Sequence, residues 1–209
     1  MRQVKEHNER KKEILDTAQT LFSIKGYEQC SVNDILTEIG IAKGTFYHYF
    51  KSKEEVLDAI VERTTEIIIG RAEDAAKRAE LPPIDKLMHI FLSIRIEDEM
   101  PSGLLEEMHK PENVLMHQKS LSATVTALTP ILVNVIEVGI KKGDFQAEYP
   151  REYMQIFLAS ALTLLDDGIF QIQQMDRQRM FQALITVLYK MLNVDKQMLW
   201  NKSEMFFQR

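Results

Sequence analysis

The sequence predicts an all-α protein, and three observations carry that reading. Apolar residues recur at spacings of three and four along most of the chain, the signature of one buried helical face. Helix starts and stops punctuate those runs, with Ser31, Ser52 and Pro82-Pro83 at beginnings and Gly26, Gly40 and Gly143 at ends. No stretch alternates polar and apolar residues as a half-buried strand must. Altogether about nine or ten helices are expected.

The first helix is expected from Glu9, with Ile14, Leu15, Ala18, Leu21 and Phe22 on its apolar face. Lys25 suits its negative end and Gly26 a left-handed stop. Residues 1–9, with Arg2 and Lys5, read as a polar arm: a frayed terminus, or an arm that reaches a minor groove. Ser31 caps a second, short helix, and Asp34 stands where a capping box has Glu or Gln. Val32, Ile35, Leu36 and Ile39 face inward until Gly40.

From Gly40 to Lys43 there is room only for a tight turn. A third helix follows to about Phe50, and two short helices joined this way make a helix-turn-helix. Phe46 and Phe50, four apart, anchor it, which leaves Thr45, Tyr47, His48 and Tyr49 more exposed. Lys43, Lys51 and Lys53 bracket those aromatics with positive charge. A core has no use for so many donors in one place; a phosphate backbone does.

Ser52 starts a fourth helix with Glu55 at capping-box spacing. Its stripe of Val56, Leu57, Ile60, Val61, Thr64, Ile67 and Ile68 runs to about Gly70 and links the first three helices to the rest. Pro82-Pro83 opens the next helix, with Leu87, Ile90, Phe91 and Ile94 on one face. Pro101, Gly103 and Pro111 mark a broken region of short helices. Asn113 to Lys142 reads as one long helix or two, with a kink at Pro130 and Thr129 able to cap a restart.

Tyr149 to Phe170 is apolar nearly all round. Arg179 to Leu192 carries Phe181, Leu184, Ile185, Leu188 and Leu192 on one side and Met180, Ala183, Val187 and Met191 on another. A helix apolar on two faces needs two partners: a core and a second subunit, or a fully interior position in a monomer. Residues 195–209 hold Met198, Leu199, Trp200, Met205, Phe206 and Phe207, enough for a short docked terminal helix.

Composition narrows the function. The 209 residues are 45% hydrophobic with 8 Gly and 6 Pro, so a packed core is expected and disorder is not. Cys30 is the single cysteine, which excludes an intramolecular disulfide and fits a reducing, cytoplasmic setting. It reads as a small hydrophobe, with a redox sensor as the alternative. No apolar run is expected to approach the roughly 18 residues of a membrane span, and no signal-peptide pattern stands at the start. Net charge is −5. Residues 1–53 carry nine Lys/Arg against seven Asp/Glu, however, so a mildly basic end sits on an acidic body.

The run Gly26-Tyr27, Ser31-Val32, Ile35, then Gly40-Ile-Ala-Lys-Gly-Thr-Phe-Tyr-His-Tyr-Phe-Lys-Ser-Lys-Glu-Glu-Val-Leu57 resembles the DNA-binding domain of TetR family transcriptional regulators over about residues 10–60. Gly139-Ile-Lys-Lys-Gly-Asp-Phe145 is similar to a helix-end sequence of that family's regulatory domains. The resemblance implies a DNA-binding domain at 1–52 and a helical effector-binding and dimerisation domain at 53–209. It implies a homodimer on a palindromic double-stranded operator, and a repressor that leaves DNA on binding a small apolar effector. An activator or dual regulator would carry the same head. A helical ligand-binding or enzyme subunit whose helix-turn-helix merely packs is the reading from another class.

Carried over by motif, the DNA-contacting residues are Ser31, Lys43, Gly44, Thr45, Tyr47, His48 and Lys53. Lys43 and Thr45 suit base edges or adjacent phosphate, Gly44 a close backbone approach, and Tyr47, His48 and Lys53 phosphates. Ser31 and its helix start offer another phosphate site. Tyr49 is the aromatic most easily read as packing alone. The implied effector site is placed at Met88, Phe91, Met100, Leu105, Met108, Met116 and Phe157, because Met lines adaptable apolar pockets. The implied dimer face is placed at Leu158, Leu162, Leu165, Met180, Ala183, Val187 and Met191.

No nucleophile elbow, P-loop or dinucleotide fingerprint occurs, so no enzyme and no cofactor is expected. His109, His117, Glu106 and Glu107 lack a tight His pair or a Cys partner, so no metal site is expected. Asp166-Asp167 in an apolar stretch needs water, a partner across a dimer, or a place at a cavity edge.

Overall fold

The computed structural model describes residues 2–93, 113–166, 169–170 and 172–194. Those residues form eight helices and no strand: α1 (Arg2–Lys25), α2 (Val32–Ile39), α3 (Lys43–Tyr49), α4 (Lys53–Ala76), α5 (Pro83–Ser93), α6 (Val114–Lys142), α7 (Pro150–Leu164) and α8 (Gln174–Met191). The all-α expectation therefore holds. The broken region around 94–112, the terminal segment 195–209 and Asp167 lie outside the described residues. The chain divides into two compact units, Met1–Ile67 with Ile96–Ala123, and Ile68–Arg95 with Thr124–Arg209.

In the first unit, Ile14, Ala18, Phe22, Ile35, Phe46, Val56 and Leu57 are wholly buried and bring α1 to α4 onto one core. Counting back in helical steps from Ile14 gives Lys11 and His7, and α1 begins at Arg2 rather than Glu9. The expected polar arm is thus helical. α2 forms because both of its ends are satisfied locally. Ser31 Oγ accepts the Asp34 N–H at 3.2 Å and the Asp34 carboxylate accepts the Ser31 N–H at 2.8 Å, a complete capping box built on Asp. At the other end Gly40 is left-handed (φ 75°) and gives its N–H to Leu36 O. α4 receives only half a box: Ser52 Oγ caps Glu55 N–H, but the Glu55 carboxylate takes the Lys51 N–H.

The start of α6 belongs to this unit. Asn113 Oδ1 accepts the buried Tyr27 N–H at 2.9 Å, and Lys119 Nζ reaches Glu54 at 3.0 Å and Asp58 at 2.5 Å. On α4, Arg63 ties back to α1 through Asp16 at 2.6 Å and Gln19 at 2.5 Å. Thr65, not Thr64, takes the buried place, and Ile67 faces outward.

In the second unit α4 runs past Gly70 to Ala76, burying Ile68, Ala72 and Ala75. α5 buries Ile84, Leu87, Met88 and Ile90. Along α6, Leu128, Leu132, Val135 and Ile136 are buried. α6 passes unbroken through Pro130. Thr129 does not cap a restart; its hydroxyl donates back to Val125 O at 2.6 Å. α6 is also long and apolar enough, by length and composition, to cross a membrane, which corrects the expectation that no run approaches that length. With Met116 it has five buried apolar positions, and the core helix of a protein outside the membrane passes the same test.

The end of α6 explains the Gly139–Phe145 sequence. Gly143 is left-handed (φ 82°); its N–H bonds Ile140 O, and Asp144 N–H bonds Gly139 O. The chain then folds back so tightly that a Cβ on Gly139 would lie 2.2 Å from the Phe145 ring. α7 stops at Leu164 rather than Phe170, and Arg177 of α8 donates to Leu165 O at 2.6 Å, placing a cation at the negative helix end. α8 starts at Gln174, earlier than Arg179, and stops at Met191, with a left-handed Asn193 (φ 49°) just beyond its Leu192 cap.

Candidate nucleic-acid interface

Two side chains root α3 in the core: Phe46 is wholly buried and Phe50 nearly so, with ring centres 6.1 Å apart. Rooting that side turns the other outward. Lys43, Gly44, Tyr47 and His48 are exposed, Tyr47 by 46%, while Thr45 and Tyr49 are partly buried. Lys43 Nζ lies 5.9 Å from the centre of the Tyr47 ring, one turn on, so ammonium and phenol share one edge.

This edge is badly chosen if α3 only packs. Lys43 places a cation at the positive end of the helix, and Ala42 gives no side-chain cap. Gly44 has ordinary backbone geometry, and a Cβ built on it meets nothing within 4 Å. A glycine in a helix costs about 1 kcal/mol against alanine, and among the described residues neither a positive φ nor a close neighbour requires this one. Such local faults collect where a surface serves something outside the fold.

Two of the sequence-selected residues serve the fold instead. Lys53 Nζ donates to Tyr27 O at 2.7 Å, Cys30 O at 2.9 Å and Glu28 O at 3.5 Å, and lies 4.2 Å from the Tyr27 ring centre. Two of the ammonium's three donors make short bonds to the α1–α2 loop and the third is at the limit of one, so the loop is its main partner within the chain. The Ser31 hydroxyl donates to Asp34 at 2.5 Å, and that carboxylate stands at the helix start where an anion would sit. The Lys25 ammonium at 2.8 Å and the two Ser31 donors hold the Asp34 carboxyl well below the usual carboxylate range. Cys30 is buried, and burial pushes its thiol up, away from the reactive thiolate.

Of the effector set, four residues lie among the described ones. Phe91 and Phe157 meet in the second unit with ring centres 4.9 Å apart, and Met88 of α5 is buried there. Met116 packs in the core of the first unit with Ile14, Phe46 and Leu57. Met100, Leu105 and Met108 lie outside the described residues. A cleft of about 370 Å³ in the second unit, lined by Lys77, Leu81, Lys86, Ile131, Val135 and Lys142 among others, contains none of these. Among the described residues no His, Cys, Asp and Glu cluster could hold a metal.

Of the dimer set, Leu158 is only 1% exposed within its own chain and has nothing to offer a second subunit. Leu162, Leu165, Met180 and Met191 are half-buried, Ala183 is exposed, and Val187 is exposed by 43%. Ile156 of α7 is 53% exposed, although its apolar character reads as core until the helix is phased on the buried Met154, Phe157 and Leu158. His7 and Asn113 were missed as partners of the first unit.

Comparison with known proteins gives matches over most of the chain. Residues 14–60 match the profile for bacterial regulatory proteins of the tetR family, and residues 101–187 that of a tetracyclin repressor-like C-terminal domain. The uncharacterized HTH-type transcriptional regulator YfiR of Bacillus subtilis is 41% identical over 179 residues, covering 80% of this chain and 82% of YfiR. The HTH-type transcriptional repressor KstR2 of Rhodococcus jostii is 28% identical over 156 residues, covering 71% and 74%. A crystal structure of a tetR family regulatory protein from Rhodococcus RHA1 superposes with a TM-score of 0.58 at 17% identity, over 87% of this chain and 96% of that one, a likeness of fold.

Proposed function

This chain belongs to the TetR family of DNA-binding transcriptional regulators and is not an enzyme; on that premise we propose that it is a cytoplasmic, ligand-responsive repressor acting as a homodimer on a palindromic operator. The observation that carries the DNA-binding reading is the outward edge of α3, with Lys43, Gly44, Tyr47 and His48 together on a helix rooted by Phe46 and Phe50. Lys43, Gly44 and Thr45 meet base edges and the adjacent phosphate in the major groove; Tyr47 and His48 hold phosphates. Lys53 and Ser31 support that edge from behind, one by holding the α1–α2 loop and the other by capping α2.

Residues 1–52 act as the DNA-binding domain and 53–209 as the effector-binding and dimerising domain. Ile156 and Val187, with Ala183 and Met180, offer an apolar surface left open by a single chain, which favours a twin subunit as the second partner of α7 and α8. The Phe91–Phe157 pair beside Met88 marks where a small apolar effector would lie. Its influence on DNA binding is bounded by its differential affinity for the two states of the dimer.

Mapping the sites bound by the purified protein across its own genome tests the proposal. A shared palindrome with half-sites about 34–36 Å apart, or a multiple, is the expected result. Binding without sequence preference, or a half-site bound by a lone subunit, would contradict it.

A further inference from the structure

The amino-terminal part of α1 reaches the reading edge of α3. The His7 ring stacks on Tyr49, with centres 4.6 Å apart and planes 25° from parallel. His48 meets both rings edge-on: 5.6 Å and 82° to His7, 5.1 Å and 86° to Tyr49. His7 and His48 are exposed, and Tyr49 is half-buried against the core of the first unit. Lys11, one turn after His7, lies 5.7 Å from the Phe50 ring centre, a second contact from this side of α1.

An exposed histidine on a short helix is free to sample several rotamers. Here two rings at right angles to it form a corner that restricts the choice. Aromatic pairs prefer these stacked and edge-to-face arrangements over others. We infer that His7 is a positioning residue of the DNA interface: stacked on Tyr49, it fixes the direction in which His48 is presented to the duplex. His7 then acts through His48 and makes no base or phosphate contact of its own. This rests on the α3 edge being the DNA-binding surface, as proposed above.

Operator binding by the full-length protein in a shift assay, with unfolding midpoints recorded in parallel, tests the inference. The variants are His7→Ala, His7→Phe, His48→Ala and the double variant His7→Ala/His48→Ala. His7→Ala weakens operator binding about three- to tenfold with an unchanged salt slope, the scale of one aromatic contact. His7→Phe, which keeps a ring to stack, restores the affinity. The double variant binds no more weakly than His48→Ala alone, because the two losses are one interaction. Wild-type affinity for His7→Ala overturns the inference; so do additive losses, a lower salt slope for His7→Ala, or failure of His7→Phe to rescue. If instead the wild-type protein shows no salt-dependent DNA binding, the functional proposal itself falls.

Discussion

Lys53 Nζ sits 2.7 Å from the Tyr27 carbonyl oxygen and 4.2 Å from the centre of the Tyr27 ring. One lysine at the start of α4 thereby closes the loop between α1 and α2, using its charge on carbonyls and on an aromatic face. Hydrogen bonds to a charged group contribute about 1.5–3 kcal/mol each where they are well made. Replacing Lys53 by Met is expected to lower the unfolding free energy by at least about 1.5 kcal/mol, read from the urea midpoint. The salt slope of operator binding should stay that of wild type, since no phosphate contact is lost.

Gly44 and Gly70 make a matched pair. Both are helical, and a methyl added at either would meet no other atom within 4 Å. Gly→Ala at either site should stabilise the protein by about 0.5–1 kcal/mol in thermal or urea unfolding. Gly44→Ala alone should also weaken operator binding, because the added methyl stands between the α3 backbone and the duplex. If Gly44→Ala binds DNA like Gly70→Ala, close approach at Gly44 is refuted.

Gly139 should respond with the opposite sign. A methyl there would overlap the Phe145 ring, which the left-handed turn at Gly143 holds in place. Gly139→Ala is expected to destabilise by about 1–3 kcal/mol despite the better helix propensity of alanine. Calorimetry would measure this, and a raised Tm would contradict the packing described.

Acid should act on the first unit through Asp34. Its carboxyl is held below the usual range by the Lys25 ammonium and the Ser31 hydroxyl and N–H. The unfolded chain takes up the proton first, near the ordinary aspartate value of about 3.9. The contribution of Asp34 is therefore complete above that pH and is lost as pH falls through and below it. Asp34→Asn should be less stable than wild type at neutral pH, and the two should converge as pH drops below about 4. Stability curves that stay parallel through that range would show that the pair with Lys25 has no such weight.

The fold was legible where local and long-range demands agree. The Ser31–Asp34 box, the Gly40 stop and the Phe46–Phe50 anchor each follow from spacing alone, and each is present. Spacing also separated the two apolar faces of α8, one buried at Leu184, Ile185 and Leu188 and one open at Ala183 and Val187. What could not be read were choices made by distant chain. Lys53 looks like a phosphate ligand until residues 27–30 are seen around its ammonium. Met116 looks like a pocket residue until the start of α6 is found in the core of the first unit. Lysine and methionine are flexible side chains whose partners no periodicity fixes. Pro130 announced a break, yet α6 continues through it, since an exposed proline costs one backbone bond while the buried side keeps its packing.

The edge of α3 is tested most directly by the salt dependence of operator affinity for wild type and Lys43→Ala, with Tyr47→Ala beside them. Lys43→Ala should fold normally, bind more weakly, and show a slope of log affinity against log salt smaller by about one, one phosphate contact having been removed. Tyr47→Ala should weaken binding with little change of slope, because the phenol carries no charge. Lines for Lys43→Ala and wild type that coincide in both height and slope would contradict the claim that this edge faces DNA.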